Sequence, residues 1–213
     1  MEGGSYLDTI LVPLSLFLTV AYHVYLCHTI KNRPSRTTFG TNKVKRKAWC
    51  SSLNQGDDKK AMLVVQSVRN ALMVAILVAT ITILVSLALA ALSNNSYNSD
   101  HLFSSGFFGS KSDKIYVLKY GSASFFLLMS FLCSSMAVGF LIDANLLMNS
   151  YGELLTLEYM QTIIERGLTV ALIGTRLLCV TFPLLMWMLG PVPVLFSSLA
   201  LIWVLHGFDF VCK

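Results

Sequence analysis

The chain has 213 residues, 55% of them hydrophobic and only 13% charged, with a mean hydropathy of +0.66. Soluble domains carry about 25% charged residues, so a soluble enzyme or nucleic-acid-binding domain is excluded and an integral membrane protein of one domain is expected. The formal charge of +5 hides a strong asymmetry along the chain that ties the basic residues to a membrane surface.

Residues 7–30 read as a first span. No Lys or Arg precedes Lys31 and the apolar run is too long for a signal peptide, so a retained helix is expected. Pro13 is tolerable inside a membrane helix, and Tyr22 and Tyr25 suit an aromatic belt. Residues 31–61 follow as a polar loop with nine of the sixteen basic residues. The positive-inside rule places it in the cytosol. Lys43, Lys45, Arg46 and Lys47, followed by Trp49, form a compact cluster. Anionic lipid headgroups would attract it by roughly 1 kcal/mol per basic residue, and the plainer role is to set orientation.

Residues 63–92 form a second span whose single charge is Arg69. As a helix it covers ~45 Å against a hydrocarbon core of ~30 Å. Ser67, Ala71, Ala75 and Ala79 make a stripe that lets another helix approach closely. Gln66, Arg69, Asn70 and Met73 lie on another side, where Arg69 either enters the membrane or snorkels to headgroups.

An external loop is expected over 93–118 and a third span over 120–148, with small residues at Ser134, Ser135, Ala137 and Gly139. Residues 150–166 are amphipathic and read as a short helix on the cytosolic surface, its glutamates Glu153, Glu158 and Glu165 toward the basic loop. A fourth span covers 167–189, Gly190-Pro191-Val192-Pro193 breaks the chain, and a fifth covers 194–210. The alternative is four spans, with 153–176 largely on the surface. Five spans place eleven Lys and Arg on the cytosolic side and three outside. The expected fold is therefore an all-α integral membrane helical bundle.

Polar residues enter these spans at His23, Arg69, Asn70, Asp143, Arg176, His206 and Asp209, and intramembrane ionisable groups are functional candidates by default. By depth, Asp143 is the expected partner of Arg176, with Arg69 or Asp209 as competing links. The five cysteines are odd in number and lack C-x-x-C spacing, so neither a disulfide framework nor a metal site is expected, and no cofactor is implied. No H-E-x-x-H or G-x-S-x-G motif occurs, and the chain reads as no enzyme. Two functions remain. One is a small-solute or ion pathway, built as a homo-oligomer through the small-residue faces. The other is a non-catalytic membrane scaffold or lipid-associated adaptor that uses the basic loop. The plasma membrane is the expected location, with another endomembrane as the alternative.

Several local patterns occur in a characteristic order: Tyr22-His23, TTFGTN over 37–42, RKAW over 46–49, VQSVRN over 65–70, Gly174-Thr175-Arg176, FPLLMW over 182–187, and Gly190-Pro191. Together the chain resembles a plant membrane family known as domain of unknown function 599. The resemblance implies a multi-pass membrane protein of plant origin. It implies no activity and assigns no residue a role.

Overall fold

The computed structural model of the chain describes residues 3–52, 58–98, 113–149 and 157–210. Six α-helices follow in order: α1 (Gly3–Asn32), α2 (Thr38–Ser52), α3 (Asp58–Asn98), α4 (Asp113–Asn149), α5 (Leu157–Met186) and α6 (Pro191–Asp209). A 3-10 turn, Pro34–Arg36, joins α1 to α2. Among the described residues there is no strand, and one isolated antiparallel bridge links Thr37 to Phe210. The helices α1, α3, α4, α5 and α6 are each long and apolar enough to cross a membrane.

Two segments differ from the expectation. Residues 31–61 are not simply a loop, because α2 occupies Thr38–Ser52. Thr37 is extended and half-way into this helix. Its hydroxyl oxygen accepts the Gly40 N–H at 3.2 Å and its carbonyl accepts the Thr41 N–H at 2.9 Å. That is N-capping, which satisfies a backbone donor that a helix start leaves open. The second difference concerns 150–166. Residues 150–156 lie outside the described residues, and from Leu157 the expected surface helix is the first part of α5, continuous with the span. Glu153 is therefore outside the description as well. The short helix beside the spans is α2 instead.

The α5–α6 reversal is set locally. Gly190 has φ 140°, a conformation that side-chain-bearing residues rarely adopt. Pro191 then starts α6 at a position where no intrahelical N–H is needed.

Helix lengths place the rest. With 19 residues α6 is ~28 Å long, close to the hydrocarbon thickness, whereas α3 with 41 and α4 with 37 run to ~62 and ~56 Å. The two apolar cores show at which end they overrun. One core joins Val12, Leu89, Ala123, Leu127, Leu184, Trp187 and Val194, from all five long helices. The other joins Val68, Ala75, Ala137, Leu141, Ala144, Met160, Ile163 and Ile164, from α3, α4 and α5 alone. Three helices thus continue past the end of α6 as a crown. This is the end that carries the basic stretch, and α2 packs there beside α5, α3 and α6. The small-residue stripe of α3 is used here. Ala75 is buried in the crown core and Ala71 packs on it, while Ser67 is exposed.

Candidate functional site

Asp209, the last residue of α6, sits 7% exposed among three helices. Its Oδ2 accepts the Tyr22 hydroxyl of α1 at 2.6 Å and Arg176 Nη1 of α5 at 2.9 Å. Its Oδ1 pairs with Arg176 Nη2. The guanidinium grips the carboxylate with both nitrogens, a geometry stronger than a neutral hydrogen bond. One carboxylate therefore ties α1, α5 and α6 together, and neither charge is left uncompensated in an apolar surround.

The expected Asp143–Arg176 pair does not form, and helix register explains why. Ser130 of α4 donates to the Gly174 carbonyl of α5 at 2.7 Å, so these antiparallel helices meet with 130 opposite 174. Asp143 then lies opposite about residue 161, roughly 15 residues or ~22 Å from Arg176 along α5. Close approach at this register needs glycine, because a Cβ on Gly174 would stand 2.6 Å from Ser134 Oγ. Helical side chains lean toward their own N-termini. On antiparallel α5 and α6 that lean carries Arg176 toward the crown and Asp209 away from it, so the two converge.

The same helix end is held from outside. The Thr38 hydroxyl donates to the Phe208 carbonyl at 2.9 Å, and Thr37 bridges Phe210. Thr37 is fully buried. The negative carbonyl end of α6 thus meets the N–H end of α2, and the opposite partial charges of the two ends attract. Phe210 is flanked by His206 at 4.6 Å and Tyr25 at 5.8 Å between ring centroids. Gly40 permits the turn, because a Cβ there would lie 2.3 Å from the Pro34 carbonyl oxygen.

The remaining candidates do not join the node. His23 is half-buried, with Nδ1 2.8 Å from the Thr19 carbonyl and its ring edge-on to Tyr22. Arg69, Asn70, Asp143 and His206 are exposed on the outer surface. Among the basic residues of α2, Lys43, Lys45 and Lys47 are exposed, and Arg46 turns in over the Phe39 ring at 5.8 Å. Lys43 Nζ also stands 3.5 Å from Glu165 Oε2 of α5. Cys27 is exposed, Cys133 and Cys179 are half-buried, and all three are free thiols. Tyr22, Thr37 and Thr38 were not expected at the site. Their only signal in the sequence is that they belong to the short patterns Tyr22-His23 and TTFGTN.

Comparison with known proteins agrees with the helical architecture. The family model described as a protein of unknown function, DUF599, matches residues 10–213, and the chain belongs to that family. No curated protein and no solved structure matches it.

Proposed function

We propose that this DUF599 chain is a non-catalytic membrane scaffold that holds a basic helix, α2, at the cytosolic membrane surface, where exposed lysines engage anionic lipid headgroups. The observation that carries this reading is the attachment of α2. It is a folded helix fixed by Thr37 and Thr38 to the end of a membrane-length helix, with Lys43, Lys45 and Lys47 exposed. A basic helix lying at an interface gains both from headgroup charge and from partial burial of its apolar residues. The cytosolic assignment of this end rests on its excess of Lys and Arg. A plasma-membrane location and a plant source complete the proposal.

A solute or ion pathway is less well supported. Of the seven polar candidates, Arg176 and Asp209 converge, and they pair with one another. Arg69, Asn70, Asp143 and His206 face outward instead of lining a common route. Ala71 and Ala75 of the small-residue stripe of α3 pack within one chain, and this reading asks for no second copy.

The test uses the full-length protein in nanodiscs of phosphatidylcholine with and without phosphatidylserine. Anionic lipid should raise the thermal unfolding midpoint, and the Lys45→Glu, Lys47→Glu double variant should lose that increment. Equal midpoints in both lipids for the wild type would sink the reading.

A further inference from the structure

The attachment of α2 combines contacts of different kinds. At the first residue it is fixed by the Thr37 bridge and the Thr38–Phe208 hydrogen bond. More than a turn later, Lys43 reaches Glu165 of the crown at 3.5 Å. That separation exceeds the ~2.7–2.9 Å of a tight ammonium–carboxylate hydrogen bond. The lysine side chain is 58% exposed, so water and other anions reach it. The carboxylate is steadier, because Glu165 Oε1 accepts Gln161 Nε2 from its own helix at 3.2 Å. Nearby on α2, Arg46 is turned over Phe39 and Lys45 and Lys47 are exposed. An anionic surface approaching these lysines would therefore meet Lys43 already loosely occupied by an internal carboxylate.

We propose that Glu165 competes with anionic lipid headgroups for Lys43, so that lipid engagement releases α2 from α5 while the Thr37–Thr38 attachment remains as the pivot. This inference rests on the headgroup reading above and adds its regulation. The helix is docked when the adjacent leaflet is neutral and swings out when that leaflet is anionic. Transfer of the lysine from one carboxylate to lipid phosphate or carboxylate leaves the count of ion pairs unchanged, so the equilibrium is set by local lipid charge.

The experiment places spin labels at Ala48→Cys and Thr162→Cys in full-length protein whose native cysteines are replaced. Distances are read by pulsed electron paramagnetic resonance in nanodiscs of increasing phosphatidylserine content. Native mass spectrometry counts bound lipid in parallel. The wild type should show one short distance in phosphatidylcholine and a second, longer one that grows with phosphatidylserine. Glu165→Gln should reach the half-way point at about two- to fivefold lower phosphatidylserine, the range expected for loss of an exposed ion pair. Glu165→Asp keeps the charge and should stay nearer the wild type, which keeps the test decisive if the Gln variant folds poorly. Coincident titrations of wild type and both variants would overturn the competition. Phosphatidylserine bound with the short distance unchanged would overturn the release alone and leave the headgroup reading standing. No bound phosphatidylserine would overturn both. Inorganic phosphate at matched ionic strength moving the label as far as the lipid would assign the competitor to a free anion and overturn the role of the membrane surface.

Discussion

Two cross-helix ion pairs among the described residues have similar chemistry and opposite surroundings. Arg176–Asp209 joins side chains that are 18% and 8% exposed, and Lys43–Glu165 joins side chains that are 58% and 24% exposed. In the first, both charges are largely withdrawn from water, so each depends on the other. In the second, water replaces either partner at small cost. The difference is reinforced by residue type. Arginine presents a fork that meets both carboxylate oxygens, while lysine offers a mobile point charge. The first pair therefore acts as a fixed joint of α5 and α6, and the second suits a contact that opens.

Breaking the buried joint should give the largest effect. Asp209→Asn leaves the Arg176 charge uncompensated and should cost about 3–5 kcal/mol, as should Arg176→Gln, which strands the carboxylate. Thermal unfolding in nanodiscs would measure both. The triple variant Tyr22→Phe, Arg176→Met, Asp209→Leu removes every member of the node and should recover most of that loss. Strict additivity of the separate losses would show that the three side chains do not act as a unit.

Tyr22→Phe alone sharpens the comparison from the neutral side. It deletes the 2.6 Å hydrogen bond to Asp209 but keeps both charges. A hydrogen bond to a charged group contributes about 1.5–3 kcal/mol, so the loss should fall below that of Asp209→Asn. A loss as large as that of Asp209→Asn would mean that the hydroxyl, not the guanidinium, is the main support of the carboxylate.

Much of this architecture is legible in the sequence because membrane spans are long and apolar. The run 63–92 and the Gly190-Pro191 break each correspond to an observed feature, the body of α3 and the reversal into α6. The crown was not legible, for specific reasons. Gly167 sits where the amphipathic pattern becomes apolar and reads as a boundary. In the fold it lets α4 and α5 approach, since a Cβ there would meet Leu141 and Phe140 at 3.1 Å. The helix α2 is masked by its own charge, because Lys43, Lys45, Arg46 and Lys47 blur the apolar periodicity that marks a helix. Its cap is also unusual, with Gly40 where a capping box would have Glu or Gln. Span numbering alone favours Asp143 as the partner of Arg176 and keeps Asp209, which does pair with it, as a competing link. The lean of each side chain and the crown's extra length shift the true level by several turns.

Gly40→Ala would act at the opposite pole of the comparison, on the pivot of α2. The added methyl would overlap the Pro34 carbonyl, so the 3-10 turn must move and the Thr37–Phe210 bridge with it. Overpacking of this kind costs about 1–3 kcal/mol. The expected signature is faster amide exchange over Thr37–Thr41 and Phe210, with α3–α4 packing unchanged. Protection at wild-type levels would show that the turn absorbs a side chain without moving.

The smallest expected effect belongs to Lys43 and Glu165, and it is the one that separates the two pairs most cleanly. Lys43→Gln and Glu165→Gln should each change the thermal midpoint little, with a coupling of about 0.2–1 kcal/mol in a double-mutant cycle. Because both groups are reached by solvent, the coupling should shrink when salt rises from about 0.1 to 1 M, where the screening length falls from ~10 to ~3 Å. The corresponding Arg176–Asp209 coupling should barely respond to the same change, since mobile ions do not penetrate between those side chains. If the two couplings fell in parallel with salt, the node would be as open to solvent as the crown contact, and the division between a fixed joint and a releasable one would not hold.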